Sequence, residues 1–295
     1  MTKYLVSGYI GFDNFGDEAI ARVLIEKLKQ KNAEKITLIS SNPTKTRQLH
    51  NVESCGMFQF FAPLKEADVL ISGGGSLLQD VTSLKSLMYY LGIIMIAQIL
   101  RKKVIIFAQG IGPINSGFGK FLTKNILKKC SEISVRDQKS HELLKSWGIK
   151  SELVKDPVLE LELPKYEKED SVGVQLRSFP TITDEFLDKL AKEVVEKFPN
   201  KTIKIYSFQD SLDLAICETF AQKLKLITNS EVEVYSKLSI NDVIEQISKL
   251  ETLYAMRFHA NVIGIKAGVN TIAINYDPKV KKLAEEYNLP VIELD

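Results

Sequence analysis

The sequence predicts an α/β chain built from two doubly wound parallel sheets. Three observations carry that prediction. Short Val- and Ile-rich runs alternate with helical stretches through the first half. A charged, proline-bearing segment at 161–170 interrupts the alternation. A second alternation of the same kind then runs towards the C-terminus.

In the first series, strands are expected at 4–7, 36–40, 69–72, 104–108 and 133–135. Each is apolar without polar alternation, as strands covered on both faces should be. Helices are expected between them, notably at 18–29 and 119–129. The segment Leu161-Glu162-Leu163-Pro164-Lys165-Tyr166-Glu167-Lys168-Glu169-Asp170 has no hydrophobic period and reads as a linker. Domains are therefore expected at 1–164 and 165–295. In the second series, strands are expected at 171–176, 203–208, 232–235, 252–255 and 271–274. Its helices are expected at 184–197, 212–226, 240–249, 260–267 and near 279–287. Two Rossmann-like domains facing one another would leave a cleft, and open α/β sheets take ligands beyond the carboxyl ends of their strands.

Composition narrows the function. A chain of 295 residues can support two cores, and 45% hydrophobic with 26% charged content is ordinary for a soluble globular protein. Cys55, Cys130 and Cys217 form no CxxC pair, which argues against a disulfide framework or a structural zinc site. The start of the chain reads as a strand rather than a signal peptide, so a cytoplasmic location is expected. The net charge of +2 is unevenly spread. Residues 1–164 hold 22 basic and 16 acidic side chains, and residues 85–150 hold 12 against 3. Such a stretch attracts phosphates or an anionic membrane face, or is simply solvated helix surface. Nucleic acid is disfavoured, because no interleaved aromatics or binding motif accompany the charge. The apolar run 87–100 has 14 residues. A bilayer span needs roughly 20. It is expected to be a buried core helix, with an interfacial helix kept open by Arg101-Lys102-Lys103 directly after it.

The strand-end loops of the first half are glycine-rich. They read Gly8-Tyr9-Ile10-Gly11-Phe12-Asp13-Asn14-Phe15-Gly16-Asp17-Glu18, then Gly73-Gly74-Gly75-Ser76-Leu77-Leu78-Gln79-Asp80, then Gln109-Gly110-Ile111-Gly112-Pro113. Glycines let a backbone turn sharply and approach a ligand closely, and helix starts favour anions. One such loop alone could be only a tight turn. Three at corresponding strand ends point to a binding cleft. The spacing is neither GxGxxG nor a Walker A loop, which disfavours dinucleotides and ATP.

Cations are expected at the same edges. Arg136 follows the strand at 133–135, where a surface pair with Asp137 is the plain alternative. Arg177 follows the strand at 171–176, and Lys279 starts the last helix. Arg257-Phe258-His259-Ala260-Asn261 combines a permanent cation with one of three histidines inside an otherwise apolar stretch. Placing Arg and His there is costly unless they are paired or bind something. The plain alternative is a satisfied core His beside a helix-capping Arg.

Taken in order, these pieces resemble the polysaccharide pyruvyl transferase family, on the bacterial branch that acts on secondary cell-wall polysaccharide, the kind that anchors surface layers. The matching residues are 8–20, 72–80, 108–114, 134–137, 155–159, 257–269 and 274–280. The resemblance implies a two-domain fold like the GT-B glycosyltransferases. It implies phosphoenolpyruvate as donor and a lipid-linked amino-sugar disaccharide as acceptor. His50, His141 and His259 are widely separated in sequence, so no metal or cofactor is expected. The resemblance places Arg136, Arg177, Arg257 and Lys279 at the donor, with His259 as acid/base or as phosphate ligand. Gly11, Asp13, Asn14, Gly16, Asp17, Gly74, Gly75, Asp80, Gln109 and Gly110 remain for the acceptor or the cleft loops. Peripheral contact with the inner membrane face is a further expectation. The runner-up is a GT-B glycosyltransferase with a nucleotide-sugar donor, and a non-catalytic glycan-binding protein stands third.

Overall fold

Each half of the chain forms its own all-parallel sheet in the computed structural model, which describes residues 1–294. The first sheet contains β1 (Lys3–Ser7), β2 (Lys35–Ser40), β3 (Glu53–Gly56), β4 (Val69–Gly73), β5 (Lys103–Gln109), β6 (Glu132–Val135) and β7 (Glu152–Leu153). Helices α1 (Phe15–Gln30), α2 (Pro43–His50), α3 (Phe61–Glu66), α4 (Leu84–Ile99), α5 (Gly117–Leu127) and α6 (Gln138–Ser146) connect the strands. A 3-10 turn at Pro157–Glu160 follows β7. The strand order is β3-β2-β1-β4-β5-β6-β7. The order reverses between β1 and β4, the switch point at which open sheets take ligands.

The second sheet contains β8 (Ser171–Gln175), β9 (Thr202–Tyr206), β10 (Val232–Tyr235), β11 (Thr252–Ala255), β12 (Asn270–Asn275) and β13 (Val291–Glu293). Its helices are α7 (Asp184–Lys197), α8 (Asp210–Ile227), α9 (Ile240–Ser248), α10 (Phe258–Lys266) and α11 (Pro278–Tyr287). The order β10-β9-β8-β11-β12-β13 repeats the winding of the first sheet, with its switch point between β8 and β11. The chain divides into two compact units, Met1–Leu161 and the residues from Glu162 onward.

Local chemistry accounts for most elements. All five residues of β4 and all five of β8 are buried, as parallel strands under helices require. On α7, Leu187, Leu190, Ala191 and Val194 recur at steps of three and four and form the buried stripe. Each of the two leucines contributes about 2 kcal/mol by leaving water. Asn14, Ser83, Ser116, Asp137, Thr183, Ser239 and Asp277 each cap a helix through a side-chain oxygen.

Two expectations need correction. First, β5 is not covered on both faces. Val104, Ile106 and Ala108 are buried, whereas Ile105 and Phe107 are only half-buried and face a groove of about 1090 Å³. Helix α1 lines that groove through Leu24, Lys27, Leu28 and Lys31. Second, the short strands β3, β7 and β13 and the helices α2, α3 and α6 carried too little apolar pattern to be expected. The apolar run at 87–100 lies largely in α4, whose Leu87, Tyr90, Leu91, Ile93, Ile94 and Ala97 are buried. Among the described residues no helix is long and apolar enough to cross a membrane.

Candidate functional site

In the first unit the three glycine-rich loops leave β1, β4 and β5, which are neighbours in the sheet. Gly11 has a φ of +84°, and a side chain there would run into Ser40 and the backbone of Asn42. Only glycine satisfies both demands. Its amide donates to Glu18 Oε1 (2.7 Å), and Glu18 Oε2 lies 2.7 Å from His50 Nε2 in a buried pair. Asp13 also has a positive φ, is exposed, and pairs with Lys45 (2.7 Å). Asn14 caps α1 by accepting from the amide of Gly16 (3.0 Å). Asp17 stands against the second loop, because a Cβ on Gly75 would lie 2.6 Å from its Oδ1.

The second and third loops are bonded to each other. The Gly110 amide donates to the Gly75 carbonyl (3.0 Å), and the Gly74 amide to the Phe107 carbonyl (3.3 Å). Fully buried Gln109 donates through Nε2 to Ser72 Oγ (3.0 Å). Its Oε1 is buried without a hydrogen-bond partner among the described residues. Asp80 accepts from the amides of Asn115 and Ser116, each at 2.7 Å. The amide of Ser116, then that of Asn115, holds its carboxyl below the usual carboxylate range. Asn14 and Asp80 therefore shape the loops, while Asp17 and Gln109 sit where loops meet.

Arg136 leaves β6, away from the β1–β4 pair. Its Nη1 donates to Asp156 Oδ2 at 2.6 Å, and both side chains are largely buried. Its other candidate partner, Asp137, instead caps α6 through the amide of Ser140 (2.8 Å). Asp156, twenty residues on in the sequence, balances the charge of this cation.

The second unit gathers Arg177, Arg257 and His259 at the β8–β11 switch point. These strands pair with Gln175 opposite Ala255. The Met256 amide donates to the Gln175 carbonyl (3.0 Å), and the Arg257 amide to Gln175 Oε1 (2.7 Å). The Arg177 amide reaches Met256 Sδ (3.3 Å). The two arginine backbones are thus held side by side.

Their side chains differ. Arg257 grips fully buried Asp213 as a fork, Nε to Oδ2 at 2.7 Å and Nη2 to Oδ1 at 2.6 Å, and Nη2 also reaches Gln209 Oε1 (3.3 Å). Asp213 further accepts from the amides of Phe208 (3.2 Å) and Gln209 (3.0 Å). Arg177 has no acidic partner among the described residues. Its Nε is buried without a hydrogen bond, and its Nη1 makes only a long contact to Tyr276 Oη (3.4 Å). The guanidinium carbon lies 5.5 Å from the Tyr276 ring centroid, and Phe179 meets that ring edge-on at 5.1 Å. A buried N–H without an acceptor is costly, and an anion would satisfy it with a charge-assisted bond.

His259 is half-buried in the first turn of α10, with its ring edge-to-face on Phe258 at 5.2 Å. The start of α10 adds a field that favours negative charge. Lys279 is exposed in the first turn of α11, beyond β12, one strand away. The structure therefore groups Arg177, Arg257 and His259, places Lys279 at the neighbouring strand end, and puts Arg136 and the glycine-rich loops in the other unit. Among the described residues no three His, Cys, Asp or Glu side chains form a group that could hold a metal.

Sequence reasoning missed Asp213, Gln175, Tyr276 and Glu18. Asp213 had a legible signal: it heads the stripe Asp213, Cys217, Phe220, Ala221 and Leu224 on α8, an acid on a face meant for burial. Tyr276 had none, because it acts through a partner 99 residues away, and Glu18 is buried by its pair with His50, 32 residues on.

Comparison with solved structures identifies the architecture first. A putative UDP-N-acetylglucosamine 2-epimerase from Listeria monocytogenes matches with a TM-score of 0.67 at 9% identity, over 100% of this chain and 85% of that one. A UDP-GlcNAc 2-epimerase from Methanocaldococcus jannaschii matches with a TM-score of 0.67 at 11% identity, over 100% and 89%. HepE from Anabaena, solved with UDP and glucose, gives 0.62 at 12% identity, over 99% and 86%. At such identities the likeness shows the fold alone, two parallel α/β sheets with interleaved helices in the GT-B manner. No curated protein sequence matches the chain. The family model for polysaccharide pyruvyl transferase matches residues 14–278, and the chain belongs to that family.

Proposed function

We propose that this polysaccharide pyruvyl transferase takes its pyruvyl group from phosphoenolpyruvate, held at the β8–β11 switch point of the second unit. The observation that carries this reading is Arg177, a cation with a buried, unsatisfied Nε and no acidic partner among the described residues. Phosphoenolpyruvate presents a phosphate and a carboxylate close together, and gripping both takes several cations. Arg177 offers an open edge. Arg257 is oriented by Asp213 and keeps Nη1 outside that fork. Lys279 and the start of α10 add further positive potential.

The acceptor in this reading is a sugar with two neighbouring hydroxyls on a lipid-linked amino-sugar disaccharide. A proton adds to the methylene carbon of phosphoenolpyruvate, making a methyl group and leaving positive character on the adjacent carbon. The first sugar hydroxyl bonds to that carbon and gives up its proton, which restores the acid. The second hydroxyl displaces phosphate at the same carbon and closes the ketal ring. Its proton leaves with the inorganic phosphate. His259 suits these transfers, since an imidazole can both take up and release a proton. Binding the departing phosphate is its other role. A pH–rate profile that loses one limb in His259→Gln distinguishes the two.

Titration calorimetry with phosphoenolpyruvate, and with uridine diphosphate as control, tests the donor. Saturable binding of phosphoenolpyruvate is expected, weakened about 10- to 100-fold by Arg177→Ala, the loss of one to two hydrogen bonds to a charged group. Arg136→Ala is expected to matter less, because Asp156 already balances that charge. A larger effect of Arg136→Ala would move the donor to the first unit. Binding of uridine diphosphate alone would favour a nucleotide-sugar enzyme.

A further inference from the structure

The sequence holds no Asp or Glu between Asp80 and Glu132, yet eight Lys and Arg lie in that stretch. Most of it forms α4, β5 and α5. The two helices lie side by side and run the same way. A Cβ on Gly119 of α5 would touch Leu87 near the start of α4, and Gln98 at the far end of α4 donates to the Ile126 carbonyl of α5 (2.8 Å).

Their outer surface is unusual for a helix pair facing water. Lys85, Met88, Gly92, Met95 and Ile99 recur at steps of three and four along α4, and all are exposed or half-buried. Met95 is 45% exposed and Ile99 is 70% exposed. Gly92 has open space where a side chain would stand. On α5, Phe118 is 61% and Phe121 is 64% exposed. A surface helix ordinarily turns polar residues outwards, so an apolar outer stripe implies an apolar partner. Lys85, Arg101, Lys124, Lys128 and Lys129 lie on or just beyond these two helices, Lys124 half-buried and the others exposed.

We propose that the α4–α5 face docks onto an anionic lipid bilayer, with Met95, Ile99, Phe118 and Phe121 entering the headgroup boundary and the lysines meeting lipid phosphates. Exposed aliphatic and aromatic side chains gain free energy from hydrocarbon, and each flanking cation gains from the negative surface potential. A second copy of the same face is a poor occupant, because lysines would oppose lysines. Nucleic acid would satisfy the lysines but leave Met95 and Ile99 nothing to enter. The inference stands on this surface alone and is independent of which donor the second unit takes.

Sedimentation of the full chain with vesicles tests it. The chain should co-sediment with vesicles of about one-third phosphatidylglycerol in phosphatidylcholine, and about tenfold less with phosphatidylcholine alone. The pair Phe118→Ser and Phe121→Ser, and separately Lys124→Glu with Lys128→Glu, should each lower binding about tenfold, with melting temperatures within a few degrees of the parent. The pair Lys192→Glu and Lys225→Glu, on α7 and α8, should leave it unchanged. The proposal is overturned if the parent fails to bind, if neither α5 pair lowers binding, or if the α7–α8 pair lowers it as much. A dimer dissolved by the Phe118 and Phe121 changes, or tighter binding to an oligonucleotide than to vesicles, would also overturn it.

Discussion

The strand ends of the two units wind alike and finish differently. In the first unit, β1, β4 and β5 end in glycine-rich loops whose polar groups largely satisfy one another, and Arg136, at the end of β6, is matched to Asp156. In the second unit, β8 and β11 end in two arginines, of which Arg257 is matched to Asp213 and Arg177 is not matched among the described residues. The lesson concerns charge rather than motif. An arginine whose charge the fold already balances has less left to offer a ligand than one whose charge is open. Arg136 and Arg257 looked like equal clamps in sequence, and both turn out to be held by buried carboxylates. The second of these still orients its neighbours, because its fork ties the start of α10 to α8 while its backbone amide holds the end of β8 through Gln175.

The largest way to strain this comparison is to remove the carboxylates. Asp213→Ala leaves a buried guanidinium without its carboxylate and should cost about 3–5 kcal/mol in urea unfolding. Asp156→Ala should cost less, since Asp213 is fully buried and also accepts from the amides of Phe208 and Gln209. An equal or larger loss for Asp156→Ala would show that the first unit depends on its ion pair as much as the second. Next in size is Arg177→Lys, which keeps the charge and loses the planar fork. Binding of phosphoenolpyruvate should weaken about tenfold with little change in melting temperature. A drop in stability of the same order as for Asp213→Ala would make Arg177 a structural residue instead.

The smallest effect lies in the first unit. Two amides hold the Asp80 carboxyl below its ordinary range. A folded-state value below the unfolded one adds stability above about pH 4, and that stability is lost as pH falls through the folded value. Asp80→Asn should therefore lower the urea midpoint slightly at neutral pH, and the gap should close in acid. A gap that stays constant down to pH ~2 would mean that the carboxylate charge contributes nothing there.

Much of this was legible because hydrophobic period is a local property. The strands at 232–235 and 252–255 and the helix at 184–197 coincide with β10, β11 and α7; Val232 and Val234 alternate in β10, and Leu187, Leu190 and Val194 recur at helical spacing in α7. The strand β3, reading Glu-Ser-Cys-Gly, was illegible because its place depends on pairing with β2 rather than on its own composition. Arg257 and His259 stood out by being polar in an apolar run. Tyr276, which stacks on Arg177 from 99 residues away, did not.

The sequence by itself determined the longer apolar elements, their alternation, the chemistry carried at each strand end, and a long stretch without acids. Those features depend on residues near one another in the chain. Tertiary structure alone decided which cation stays open. Asp213 lies 44 residues from Arg257, and Asp156 lies 20 from Arg136. Only the folded sheet brings those charges together, and an ion pair's energy depends on the distance between its partners in space, whatever their separation along the chain.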